Sequence, residues 1–247
     1  EAETGQEELN IRYADALACA DNHTIAKHAV KEIAQQQGHA TTFLPKWRAD
    51  KVGSAAHVHQ SLFEGDTNIF YDADAPLTMS DTMKSYVAGL IKYAPDMTVF
   101  LAPYVNSYRR YVKDLAAPIN LEWARDNRTT GIRVPISDAA ARRVENRLAG
   151  MDCNPYLAIA ASLACGLMGL EEARAPRPEY RGDAYDADED IPRGLFAALE
   201  LFDSAERLKD ILHPEFARVY SIVKRTEYEE FLQQISPWER EHLLLNV

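Results

Sequence analysis

Apolar residues recur at helical spacing through Ala16, Leu17, Ala20, Ile25, Ala29, Ile33 and Ala34, and Gly38 follows where a helix C-terminus favours glycine. The spacing predicts a helix over residues 13–37. Ala40-Thr41-Thr42-Phe43-Leu44-Pro45 reads as a strand, and a polar loop leads from it into a strand that carries His57 and His59. Residues 63–67 read as a turn and Asn68 to Tyr71 as a short return strand, which implies antiparallel pairing. Ser80 is placed to cap a second helix whose apolar stripe runs through Met83, Val87, Leu90, Ile91 and Ala94. Pro95 is expected to kink or stop it, with a shorter helix running on to Leu101 and a loop from Ala102 to Asn106.

Three strands are expected next, over Ile119 to Ala124, Gly131 to Pro135 and Arg143 to Leu148. Asn154-Pro155 then opens a long helix that is apolar nearly all round, through Leu157, Ile159, Leu163, Leu167 and Leu170, so burial is expected. Residues 173–191 combine prolines, a glycine and the acids Asp186, Asp188, Glu189 and Asp190, the pattern of a long solvated surface loop. Helices over 194–203, 204–212 and 214–234 follow, and Ser236-Pro237-Trp238-Glu239 restarts a last one with Pro at N1 and Glu at N3. No internal repeat or low-complexity tract interrupts this pattern. A single α+β domain over residues 1–247 accounts for it.

Composition narrows the class. A chain of 247 residues that is 47% hydrophobic can bury a sizeable core. The net charge of −11 argues against non-specific binding to nucleic acid or to an anionic membrane, so an anionic ligand must meet a local basic patch. No apolar run approaches the roughly 18–20 residues of a membrane span, and no secretory leader is expected. A cytoplasmic location is the expectation. Cys19, Cys153 and Cys165 show no metal-ligand spacing and read as buried, reduced thiols. The chain opens on Glu1 in an acidic cluster with no initiator methionine, from which further residues upstream are expected.

Chemistry concentrates in two places. His57 and His59 alternate, so a strand projects both from one face, and Gly53, Ser54, Ala55 and Ala56 leave room beside them. A metal or phosphate site and a merely solvated strand both remain open on that run alone. The second concentration is eight arginines, Arg109, Arg110, Arg125, Arg128, Arg133, Arg142, Arg143 and Arg147, within about forty residues of an acidic protein. Arg143, Glu145 and Arg147 also alternate, either as a structural ion network or as a site holding a metal through Glu145 and anionic oxygens through the arginines. Glu1, Glu8, His57 and Glu145 are hard or borderline ligands suited to magnesium or manganese, and arginines beside such metals suit phosphoryl transfer. The chain has neither a P-loop nor a Rossmann glycine turn to hold a nucleotide.

The runs Gly5-Gln6-Glu7-Glu8, Gly53-Ser54-x-x-His57-x-His59-x-Ser61-Leu62, Asn106-Ser107-Tyr108-x-Arg110, Asp126-Asn127-Arg128-x-x-x-Ile132-Arg133-x-Pro135, Arg143-x-Glu145-x-Arg147 and Asn154-Pro155-Tyr156-Leu157 resemble, in order and spacing, the catalytic domain of the glutamine synthetase family. The resemblance implies a curved antiparallel sheet with helices packed on it, forming half of a funnel-shaped site. It implies ATP and Mg2+ or Mn2+ as cofactors, and glutamate and an amine as substrates joined through a γ-glutamyl phosphate. By resemblance, Glu1 and Glu8 hold the metal nearer the amino acid, and His57 and Glu145 hold the metal on the nucleotide phosphates. His59 contacts those phosphates and Ser61 the base. Arg128, Arg133 and Arg143 stabilise the phosphates and the transferring group, while Arg110 and Arg147 clamp the glutamate carboxylates and Gly53 admits its amino group. The family also implies a preceding β-grasp domain, expected to lie outside these 247 residues, and a double-ring homo-oligomer whose sites are completed by a neighbour, so these residues alone are expected to be inactive.

Two features bear on the second substrate. Ammonia-using members carry a flap glutamate two residues before the proline that is Pro118 here, and Ala116 stands at that position, with Asp114 the nearest candidate replacement. Trp123-Ala124-Arg125-Asp126-Asn127-Arg128-Thr129 looks like the branch that makes γ-glutamyl-polyamines and related γ-glutamylamides. An organic amine is therefore expected, with ammonia as the alternative and a catalytically silent structural or regulatory relative as the reading of another class.

Overall fold

The computed structural model describes residues 3–247. The first helix, α1, spans Ala16–Gln36 and ends as Gly38 requires: with Gly38 at φ +75°, its N–H donates to the Gln35 carbonyl and that of His39 to the Ala34 carbonyl, at 3.0 and 2.8 Å. Residues 40–45 form no strand, against expectation. They pass over α1 instead, with the Phe43 ring under the ammonium groups of Lys27 and Lys31 at 5.2 and 5.7 Å. The Pro45 carbonyl accepts from Ser54 N–H at 2.9 Å, an isolated bond in place of a ladder.

Strand β1 is Val58–Gln60. Phe63–Glu64 (β2) and Thr67–Asn68 (β3) form a small antiparallel hairpin, so the expected turn is itself partly strand and its tip is Gly65-Asp66. Ser80 caps α2, Asp81–Leu101, its side chain accepting from Met83 N–H at 3.0 Å. Pro95 neither stops nor divides this helix. Pro95 forgoes one hydrogen bond, but Ala94, Met97, Thr98, Val99, Phe100 and Leu101 are all buried around it, and tertiary packing outweighs the lost bond. A short α3, Val105–Tyr108, replaces the end of the expected loop.

Trp123–Arg125 (β4), Ile132–Val134 (β5) and Val144–Asn146 (β6) complete, with β1, a sheet of order β1-β6-β5-β4. The expected antiparallel pairing holds for β1-β6 and β6-β5, but β4 joins β5 in parallel, which corrects the expectation of a wholly antiparallel sheet. A parallel pair normally needs a long crossover. Here the strands are three residues each, so the chain returns only about 7 Å along the strand and one strand spacing of about 4.8 Å sideways, within reach of the six residues 126–131. Asp126, at φ 47°, turns the chain, and the Asn127 side chain pins the loop to Thr129 and to the Gly182 carbonyl.

Helix α4, Pro155–Glu171, starts on the Asn154 side-chain cap. It is not buried all round as expected. Ala158, Ala161, Ala164, Cys165, Gly166, Met168 and Gly169 face inward, and Leu167 is 39% exposed. The reason is the closeness of α2: a Cβ on Gly169 would lie 2.2 Å from the Ser85 carbonyl oxygen and 2.6 Å from Gly89 Cα, so only small residues fit the seam. Helices α5 (Leu195–Ser204), α6 (Glu206–Leu212), α7 (Pro214–Leu232) and α8 (Pro237–Leu243) follow the expected pattern, the last with the Ser236–Glu239 capping box. Cys153 and Cys165 are buried and Cys19 partly so, all as free thiols. Among the described residues no helix is long and apolar enough to cross a membrane.

Because Gly169 meets the backbone of α2 rather than movable side chains, Gly169→Ala is expected to destabilise the protein by about 3 kcal/mol. Urea unfolding of the variant against the parent measures this, and an unchanged midpoint would show that the helices can part freely.

Candidate active site

The sheet sorts its side chains by parity. Across the register, His59 lies opposite Glu145 and Glu145 opposite Arg133, while Val58, Asn146 and Ile132 make the neighbouring row. The second row faces the helices: Asn146 donates to Ser162 Oγ on α4 at 3.0 Å and Gln60 to the Tyr86 hydroxyl on α2 at 2.9 Å. The first row therefore faces away from them, together with His57, Arg143 and Arg147 at two-residue steps.

At the centre of that face is Glu145, 2% exposed. Its Oε1 accepts from Arg147 at 2.7 Å and lies 3.2 Å from His57 Nδ1, and its Oε2 accepts from Arg133 at 2.6 Å. Burial pushes the Glu145 carboxyl up, but the His57 contact and the charges of Arg147 and Arg133 outweigh it and hold the group far below the usual carboxylate range. Burial lowers the His57 pKa against the pull of Glu145, and likewise that of His59. Both imidazoles are thus neutral near pH 7, and His57, whose Nδ1 meets Glu145, keeps the lone pair of Nε2 free. Arg143 Nε donates to His59 Nδ1 at 3.0 Å.

Arg110 enters from the segment after α3 and is 2% exposed. Its stem crosses Gly53, where a Cβ would lie 2.5 Å from Arg110 Cγ and 2.6 Å from the Pro45 carbonyl oxygen. Gly53 is thus needed first for the arginine's passage. The guanidinium donates to the Leu148 carbonyl and meets no carboxylate within ion-pair distance among the described residues. The Nε–H groups of Arg110, Arg133 and Arg147 are all buried without a partner. Such orphaned donors fit an anionic ligand that would complete them.

The remaining expected residues sit differently. Arg128 is exposed on the 126–131 loop, and among the described residues no hydrogen bond ties it to the cluster; Ser61 is exposed just past β1. Glu1 lies outside the described residues, and Glu8 is exposed on the stretch before α1. Among the described residues, no three His, Cys, Asp or Glu side chains gather as a metal-binding group. Of the two expected metal pairs, the structure brings His57 and Glu145 together, and the Glu145 oxygens also accept from Arg133 and Arg147. An ionised carboxylate and a neutral imidazole 3.2 Å apart still fit one corner of a hard-cation site.

Sequence reasoning passed over Asp126, which grips Arg133 at 2.8 Å and accepts from Ile136 N–H at 3.3 Å. It also passed over Asp152, a half-buried carboxyl whose pKa burial raises and which accepts from Ser107 Oγ at 2.5 Å, and Gln6, which donates to the Gly53 carbonyl at 3.1 Å. Asp126 and Gln6 lay inside the quoted runs, so position within a motif was the available signal. In the segment after Arg110, Asp114 and Ala116 both take positive φ, 62° and 64°. Tyr185 packs there, feeling the charges of Arg147 and Asp114 and touching the Ala116 backbone.

Comparison with known proteins places this arrangement among relatives. The model of the glutamine synthetase catalytic domain matches residues 1–243. The chain is 36% identical over 256 residues to a glutamine synthetase of Mycolicibacterium smegmatis, covering 99% of this chain and 57% of that protein. It is 38% identical over 240 residues to a glutamate–isopropylamine ligase of a Pseudomonas species, covering 95% of this chain and 52% of that protein. The solved structure of ligand-free GmaS superposes with a TM-score of 0.85 at 33% identity, over 94% of this chain and 55% of the other. A GmaS/ADP complex gives 0.86 at the same identity. The chain thus spans about half the length of the curated relatives it matches.

The Glu145 cluster makes a signed prediction for metal-free protein. A depressed carboxyl pKa contributes stability that is complete above the unfolded value near ~4.3 and is lost as pH falls towards the folded value. Stability to urea is expected to drop steeply below about pH 4.3, and less steeply in Glu145→Gln. At pH 7 that variant, which leaves buried arginines uncompensated, is expected to lose about 3–5 kcal/mol; equal pH slopes for parent and variant would refute the assignment.

Proposed function

The chain belongs to the glutamine synthetase family through its catalytic domain, and from that premise we propose that it carries half of the active site of an ATP-dependent ligase joining the side-chain carboxylate of glutamate to an organic amine. The observation that carries the reading is the single sheet face on which His57, His59, Arg133, Arg143, Glu145 and Arg147 converge, with Arg110 entering beside them. A carboxylate, a phosphate chain and a metal must share one surface for one bond to form.

Arg110 and Arg147 hold the glutamate carboxylates, and their buried, unpartnered Nε–H groups supply donors for that purpose. Gly53, beside which the Arg110 stem passes, is assigned to the glutamate amino group. His59 and Arg143, coupled at 3.0 Å, face the nucleotide phosphates with Arg133, and Ser61 lies towards the base. Arg128, exposed on its loop, is free to fold over the transferring group and offset the charge that spreads on its oxygens. His57 and Glu145 would hold the divalent ion of the phosphates, Mg2+ or Mn2+, whose chemistry is to neutralise phosphate charge; Glu1 and Glu8 are assigned to the second. The glutamate side-chain oxygen bonds to the terminal phosphorus as the bond to ADP breaks. The amine nitrogen then bonds to the acyl carbon, phosphate leaves and the amine loses a proton. The assembly is proposed to be a cytoplasmic homo-oligomer.

The organic amine is favoured by Ala116, whose methyl group cannot take a proton, and by the likeness to a glutamate–isopropylamine ligase. Ammonia is the second reading, favoured by the glutamine synthetases among the relatives. Phosphate release from ATP and glutamate by the full-length protein, with ammonium, putrescine, spermidine or ethanolamine offered in turn, decides between them. Saturation by an organic amine and not by ammonium is expected; saturation by ammonium alone would restore the second reading, and release with none would leave a silent relative.

Arg143→Ala is expected to lower kcat/KM for ATP by about 100-fold without loss of folding. His57→Ala is expected to abolish turnover at limiting magnesium, and a variant as active as the parent there would remove His57 from the metal site.

A further inference from the structure

Arg142 and Arg143 are neighbours with opposite destinations. Arg143 reaches His59 on the proposed catalytic face, whereas Arg142 turns the other way to donate to Thr78 Oγ1 and, at 3.3 Å, to the Ser137 carbonyl. There it lines a cavity of about 260 Å³ with Ala75, Leu77, Thr78, Arg125 and Ile136. The reaction proposed above uses none of these residues.

The arginine is 4% exposed, and its Nε–H is buried without a partner. Its acceptors are a neutral hydroxyl and a carbonyl, and Tyr71 lies 5.8 Å below its plane. Among the described residues no carboxylate comes within ion-pair distance of it. Burial disfavours its charge, the neighbouring Tyr71 offsets part of that, and Arg125, a second cation at the cavity, disfavours it again. Arg125 is itself balanced by Glu179, whose carboxylate accepts from its Nε at 3.0 Å. A buried guanidinium without a counter-charge is unfavourable unless an anion completes it. This is the same physical situation as Arg110, which the proposed reaction completes with a substrate carboxylate.

The walls specify the rest. Leu77 and Ile136 are apolar, and Leu77 and Thr78 are held at φ 64° and 51°, a left-handed conformation that costs energy in residues other than glycine. The volume falls below the ~300–1,000 Å³ usual for drug-sized ligands, which restricts the occupant to a small molecule.

We propose that this cavity is a second anion site, separate from the catalytic face, taking a small carboxylate or phosphate monoester whose oxyanion meets Arg142 and whose flat or apolar body lies against Leu77 and Ile136.

Calorimetric titration of the full-length protein with phenyl phosphate and, separately, with benzoate at low ionic strength tests it. The parent is expected to bind at least one, and the two arms separate phosphate from carboxylate recognition. Ala75→Phe, which fills the cavity, and Arg142→Met, which keeps the volume and removes the charge, are each expected to weaken that binding by about tenfold or more. Should Arg142→Met fail to fold, Ala75→Phe, at a partly exposed position, decides alone. Absence of binding by the parent, or a change of less than about threefold in the deciding variant, overturns the proposal.

Discussion

Everything on the polar face of the sheet depends on one carboxylate held among cations. Glu145 is buried, ionised and shared by Arg133, Arg147 and His57, so it fixes three side chains drawn from β5, the end of β6 and the approach to β1. A buried ion cluster of this kind contributes little net stability over a well-packed apolar equivalent. What it supplies is position: each guanidinium is oriented by Glu145 while its Nε–H remains unsatisfied. The same contact restrains the histidine, whose ring stays neutral and whose lone pair stays available.

That cluster is only as well placed as the sheet beneath it, and the sheet is positioned by its apolar row. Val58, Val144, Ile132 and Val134 rest on α2 and α4, whose separation is set by Gly89, Gly166 and Gly169. Asp126 extends the order sideways. It closes the short parallel crossover, grips Arg133 and receives Ile136 N–H, so the Glu145 face and the wall of the Arg142 cavity share one carboxylate.

Much of this was legible in the sequence because the signals were local. Caps at Ser80, Asn154 and Ser236, the Gly38 terminus and the apolar stripes located the helices, and period-two alternation put His57 with His59 and Arg143 with Glu145 and Arg147 on shared faces. The failures were tertiary. Nothing local distinguishes Ala40 to Pro45 from a strand, since its partner strand is what is missing. Pro95 reads as a stop until the buried residues around it are known. The apolar circumference of α4 could not reveal that its small residues, and not its leucines, face α2. The parallel pairing of β4 depends on strands short enough for a six-residue return, and strand length was overestimated in all three cases. At the site, the arginines and Glu145 were found by density and spacing, while Asp126 was missed because a carboxylate acting through another residue carries no spacing signal.

The unsatisfied Nε–H groups of Arg110, Arg133 and Arg147 carry a consequence outside catalysis. Any oxyanion that completes them binds the folded chain and not the unfolded one, so it raises the folding free energy by mass action. Sulfate, phosphate and carboxylate buffers are then expected to act on this protein as weak ligands rather than as neutral media. Its thermal midpoint becomes a property of the protein together with its salt, and two preparations in different buffers are thermodynamically different samples.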